Sequence, residues 1–142
     1  DPNVRAEAAN SLSMYGEEAV LHLVKTFQQD QHWLVRRSIL AVLVEMQNPQ
    51  AVFDVCIVAL SGEDLTVQEA GIDGLAVLAN SSKQAEALEQ LIKLLNSEEW
   101  RIRMQVASAL KRFDQPQAKK AISSLRKDED HRVVAAALEA SL

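Results

Sequence analysis

One segment of this chain occurs five times. The copies begin at Asp1, His32, Asp64, Glu99 and His131 and superimpose on the apolar anchors Val4, Val35, Val67, Ile102 and Val134. Successive anchors lie 31, 32, 35 and 32 residues apart. A period of this length marks supersecondary units that cannot bury an apolar face alone and must stack on their neighbours. From each anchor an apolar or small residue recurs at +4 and +8: Ala8 and Leu12, Ile39 and Leu43, Gly71 and Leu75, Val106 and Leu110, Leu138 and Leu142. That spacing is one face of an α-helix. In the last copy Val133 serves as anchor equally well.

Between the copies lie four further stripes at i, i+3, i+4, i+7: Val20/Leu23/Val24/Phe27, Phe53/Cys56/Ile57/Leu60, Leu88/Leu91/Ile92/Leu95 and Ala118/Ala121/Ile122/Leu125. Helix-start chemistry precedes them, with Asn48-Pro49 as N-cap and first helical residue and Ser81 or Ser82 as a cap. Asp1-Pro2 and Asp64 play that part for the first set. No segment alternates with period two between hairpin turns, so no strand is expected. The pattern predicts an all-α fold, a right-handed α-α superhelix of four helix pairs plus one terminal half-pair. Its repeats run over approximately 1–29, 30–61, 62–97, 98–128 and 129–142 in a single domain, 1–142. Because the chain opens on Asp1-Pro2 without a Met, it is expected to be a piece of a longer protein.

The unit D-x-x-V-R-x-x-A-x-x-x-L resembles the HEAT repeat, and more narrowly the HEAT-like repeat of phycobilisome lyase subunits. Asp1, Val4, Arg5, Ala8 and Leu12 match it in the first copy, Val35, Arg36 and Leu43 in the second, and Ile102, Arg103 and Leu110 in the fourth. The third copy departs with Gln68 at the arginine position and the fifth with Ala135, while His32, Glu99 and His131 replace the aspartate. The resemblance implies a HEAT-like solenoid. It also raises the function of a bilin lyase subunit, or of a domain appended to an enzyme, holding a linear tetrapyrrole and its acceptor.

Several side chains invite a chemical reading. Arg5, Arg36 and Arg103 recur beside Asp30, Asp64 and Glu99, and recurrence at the repeat period makes them ties between turns rather than an anion ladder. Cys56 is the single cysteine, set in an apolar run, which fits a buried thiol and a reducing, cytoplasmic compartment. His22, His32 and His131 have no metal-ligand spacing, and Trp33 and Trp100, at one repeat position, fit wedges between units. The sequence holds no phosphate loop and no nucleophile–base constellation, so no catalytic residue, metal or cofactor is expected. Apolar runs such as 39–44 and 55–60, six residues each, are far short of the roughly 20 residues of a membrane span.

The expected function is therefore a non-catalytic scaffold binding another protein. Net charge is −5, with residues 1–71 at −6 and 72–142 at +1, and eight basic residues stand against Asp114 alone in 100–127. An acidic chain without a basic stripe through all repeats argues against nucleic acid. The resemblance implies that the second-type helices line a concave face, on which His22, Lys25, Asp54, Val55, Val58, Glu89, Gln90, Lys93, Lys119 and Lys120 are expected to contact the partner. Val55 and Val58 are read there as an apolar centre and Lys119 and Lys120 as a basic end.

Overall fold

The structure, a computed structural model, describes the backbone of residues 1–12 and 16–142 and the side chains of 1–10 and 16–142. The described residues form nine α-helices and no strand: α1 (Pro2–Leu12), α2 (Glu17–Gln29), α3 (Trp33–Glu45), α4 (Pro49–Ser61), α5 (Leu65–Val77), α6 (Gln84–Lys93), α7 (Trp100–Leu110), α8 (Pro116–Leu125) and α9 (His131–Ala140). Short 3-10 turns at Leu78–Asn80 and Leu94–Asn96 end α5 and α6. Two compact units make up the chain, 1–74 and 75–142.

Capping fixes the register of the repeats. Asp1 and Asp64 accept backbone N–H groups of Asn3 and Val67 at 2.8 and 3.0 Å, and Asn48 accepts that of Ala51 at 3.0 Å. His32 stands where the repeat has Asp, and its Nδ1 accepts the Leu34 N–H at 3.2 Å. An imidazole nitrogen thus does the work of a carboxylate. Glu99 makes no side-chain cap bond. At α6 Ser81 receives the N–H of Lys83 at 3.1 Å, one turn ahead of the helix, and Ser82 is not the cap. The α9 cap is Asp130, whose carboxylate accepts the Arg132 N–H at 2.8 Å. Asp130 precedes Val133 by three residues, as His32 precedes Val35, so the anchor of the fifth copy is Val133 and not Val134.

Burial follows the same register. In α3 the buried set is Val35, Arg36, Ile39, Leu40, Val42 and Leu43; in α7 it is Ile102, Arg103, Val106, Ala107, Ala109 and Leu110, position for position the same. The face is repeated because its surroundings are: α3 packs on α1, α2 and α4, and α7 on α6, α8 and α9. In α9 Val133 and Ala137 are buried, whereas Leu138 and Leu142, expected on the stripe, are exposed. The cause is the one-residue shift set by Asp130. In α1 the expected stripe also fails. Val4 is 65% exposed and Ala8 is exposed, while Ala6 and Ala9 are buried. This helix packs chiefly on α3, so only a narrow face is covered. The side chain of Leu12 lies outside the described residues.

Among the second-type helices, α2 and α8 bury the expected stripes almost entirely, with Val24 half-buried. In α6 Leu88 and Leu91 are buried, with Ala87, and Ile92 is half-buried; Leu95 falls beyond the helix, half-buried in the 3-10 turn. In α4 the stripe is rotated. The buried residues are Ala51, Val52, Val55, Cys56 and Ala59, and Phe53, Ile57 and Leu60 are half-buried. Residues 51–60 are apolar except for Asp54, so periodicity alone does not single out one face.

Glycines bring α4 and α5 close together. A Cβ on Gly74 would stand 2.6 Å from the Cys56 Sγ, and one on Gly71 3.1 Å from the Ala59 Cβ. The two glycines lie three residues apart on one helical face, against which Cys56 and Ala59 pack.

Candidate functional site

The arginine positions form hydrogen-bonded ties. Arg5 Nε meets the Asp30 carboxylate at 2.5 Å. Arg103 is held by Asp128, with Nε and Nη2 donating to the two carboxylate oxygens at 2.8 and 3.1 Å, and its Nη1 donates to the Ser97 carbonyl at 2.7 Å. Arg36 Nε donates to the Asp30 carbonyl at 2.8 Å, and the Gln68 side chain donates to the Gly62 carbonyl. These are ties between turns, as the repeat period implies. The acidic partners, however, are Asp30 and Asp128, not Asp64 or Glu99. Arg103 holds the Asp128 carboxyl below the usual carboxylate range, and Asp128 in turn raises Arg103. At Asp30 burial pushes the pKa up, but hydrogen bonds from Arg5 and the His32 N–H outweigh it and the net shift is downward.

The two tryptophans differ in their surroundings. The Arg132 guanidinium lies 3.4 Å from the centre of the Trp100 ring, a cation–π contact. Trp33 stacks near His32, with centroids 6.0 Å apart, and stays 42% exposed. Cys56 is fully buried, and desolvation pushes its thiol up to about 12. A thiol in that state is no nucleophile near neutral pH.

The residues singled out for partner contact divide between the units. In 1–74, His22 and Lys25 on α2 and Asp54 on α4 are exposed, and Val58 is half-buried. Val55 is a correction. It is 1% exposed and part of the α4 core, because α4 turns its Val52–Val55–Cys56–Ala59 face inward. An apolar surface centre at Val55 is therefore withdrawn. In 75–142, Glu89, Lys93, Lys119 and Lys120 are exposed and Gln90 is half-buried, with Glu89 and Lys93 paired at 3.8 Å along α6. α6 packs on α8 and α2 on α4, which places each pair of helices side by side.

A cavity of about 540 Å³ opens beside Lys119. It is lined by Lys111, Lys119, Arg126 and Asp114, by the buried apolar side chains of Phe113 and Ile122, and by residues 140–142. The sequence placed Lys111, Lys119 and Arg126 in one basic stretch, 100–127, and the packing of α7, α8 and α9 brings these three to one cavity. Among the described residues, no group of His, Cys, Asp and Glu is arranged to hold a metal ion, and no helix is long and apolar enough to cross a membrane.

Sequence comparison decides the family, since HEAT repeats match residues 53–142. The chain belongs to the HEAT-repeat family. Among solved structures it is similar to a chain of the complex of CpcE and CpcF of phycocyanin lyase from Nostoc sp. PCC7120, at 25% identity and TM-score 0.82, covering 100% of this chain and 91% of that one. An engineered protein matches at 22% identity and TM-score 0.55, covering 99% and 72%, a likeness of fold alone. No curated protein matches the chain. Its fold is thus an all-α HEAT-like solenoid, similar to that of the phycocyanin lyase chain.

Proposed function

We propose that this HEAT-repeat protein is a non-catalytic binding subunit that works by holding a second protein. The observation that carries the reading is the likeness, over the whole of this chain and nearly all of the other, to a chain that is itself one part of a two-protein complex. Its only thiol is sealed in the core, which suits binding rather than covalent chemistry. Contact would run through the exposed His22, Lys25 and Asp54 with the half-buried Val58 on one unit, and through the exposed Glu89, Lys93, Lys119 and Lys120 with the half-buried Gln90 on the other. The single cysteine fits a reducing, cytoplasmic setting.

A second reading, a lyase subunit that also holds the bilin, draws on the same likeness and on the basic cavity. Three cations beside apolar side chains suit a ligand that carries carboxylates on a flat apolar body. Titration with a linear tetrapyrrole, followed by visible absorbance, separates the two. A saturable spectral change that Lys119→Glu weakens supports the lyase reading. An unchanged spectrum, together with salt-sensitive capture of one defined protein that Lys119→Glu/Lys120→Glu weakens, supports the scaffold.

A further inference from the structure

The ladder of arginine ties has a gap at Arg36. In α7 the Arg103 guanidinium is closed on one side by the Ser97 carbonyl, six residues back, and on the other by the Asp128 carboxylate, 25 residues on. Arg5 meets Asp30 at the same separation of 25 residues. Arg36 makes the backward bond, to the Asp30 carbonyl six residues before it. The forward partner is missing. Counted back from the next arginine position, the residue in the place of Asp30 and Asp128 is Gly62, 26 residues after Arg36, which precedes Gln68 by six residues and gives it the same carbonyl bond. A Cβ on Gly62 would lie 3.8 Å from Arg36 Nη1 and 3.6 Å from the Ala59 carbonyl, both ordinary contacts.

Arg36 is nevertheless 9% exposed, a cation about as buried as Arg103. Its guanidinium is held in place by the Asp30 carbonyl and by the Phe27 ring, 4.9 Å away. Among the described residues no carboxylate pairs with it. Asp64, close by in the turn, spends an oxygen on the Val67 N–H, and Glu63 is exposed. Gly62 itself is half-exposed, so the notch opens to solvent. Trp33, one helical turn before Arg36 on α3 and 42% exposed, has no guanidinium over it among the described residues, unlike Trp100.

We propose that this notch between α3 and the α4–α5 turn receives a carboxylate from outside the chain, at the position that Asp30 and Asp128 fill from within. Arg36 is buried and its Nε is spent on the Asp30 carbonyl, but Nη1 lies 3.8 Å from where a Gly62 Cβ would stand, so an incoming carboxylate finds a charge-assisted donor on a guanidinium already held in place. Glu63 and Asp64 flank the mouth and keep the binding of a lone anion weak. The carboxylate is either an acidic side chain of a protein partner or a free carboxylic acid, and the inference holds under both readings of the function.

The test is NMR of the Arg36 guanidinium N–H groups in the intact protein, Nη1 included, titrated with sodium acetate against sodium chloride at equal ionic strength. The expected result is a saturable shift with acetate, absent with chloride, and lost in Gly62→Asp, which supplies the carboxylate internally. Gly62→Asn, of the same shape and uncharged, should leave the thermal midpoint below that of Gly62→Asp. A short Glu-containing peptide that saturates at lower concentration than acetate assigns the source to a protein; equal saturation assigns it to a free acid. An Arg36 signal indifferent to acetate and peptide, or one that moves equally in wild type and Gly62→Asp, overturns the proposal. The wild-type titration alone decides the matter if Gly62→Asp does not fold.

Discussion

Arg103 and Asp128 form a two-bond clasp in which each side chain is about 10% exposed, whereas Arg5 and Asp30, with the same sequence separation, leave the arginine 44% exposed. Equal spacing therefore does not mean equal worth. Breaking a buried pair strands a charge, so Asp128→Ala is expected to lower stability by about 3–5 kcal/mol. Arg5→Ala, at a solvent-screened pair, is expected to cost no more than about 1 kcal/mol. Urea unfolding of the two variants measures the difference; equal losses would show that burial does not govern the ladder.

The same clasp sets an acid limit. Asp128 has its pKa lowered in the folded state, first by the Arg103 hydrogen bond. A depressed carboxylate pKa gives stability that is fully present above the unfolded value of about 3.9 and is lost as pH falls through the folded value. Thermal midpoints should therefore fall steeply below about pH 4 in the wild type and less steeply in Asp128→Asn. Parallel curves for the two proteins would assign the acid sensitivity to other carboxylates.

The repeat and its helices were legible in the sequence because the 4-plus-4 spacing and the caps survive substitution. Even His32 preserves the cap. Three things were not legible. The α9 register hung on Asp130 rather than His131, and a one-residue slip of an apolar stripe leaves little trace where 133–138 are all apolar. The inward face of α4 was hidden because nearly every residue of 51–60 is apolar, and this moved Val55 from surface to core. The cavity beside Lys119 needs three helices at once, and no local pattern reports that.

Glycine spacing gives a sharper test of the α4–α5 contact. Gly74→Ala would put a methyl group 2.6 Å from the Cys56 Sγ, an overlap that buried neighbours cannot absorb. The expected loss is about 1–3 kcal/mol, and Cys56→Ala in the same chain should recover part of it. Gly62→Ala meets only ordinary contacts and is expected to be neutral or slightly stabilising. Calorimetry of the three variants checks the order.

The core itself separates two residues that the sequence treated alike. Leu91 is fully buried and Phe53 half-buried. Leu91→Ala is expected to cost about 2–5 kcal/mol, the usual range for an emptied leucine site. Phe53→Ala should cost less, since part of the ring already faces water. Val55→Asp, at a fully buried position, should abolish cooperative unfolding; a well-folded Val55→Asp protein would return that residue to the surface.

Cys56 reports the opening of the first unit. Its thiol is fully buried and pushed up to about 12, so at pH 8 only roughly one closed molecule in ten thousand carries a thiolate, and the sulfur regains ordinary reactivity only when the site opens to water. Labelling by a thiol reagent must therefore wait for α4 and α5 to part, and its rate should track the population of that open form. The native protein should label many times more slowly than the urea-unfolded chain. Gly74→Ala, which wedges the two helices apart at the sulfur itself, should speed labelling about tenfold for each 1.4 kcal/mol of stability it removes. Fast labelling of the wild type, with no change on Gly74→Ala, would place the thiol at an exposed site and return Cys56 to the list of reactive groups.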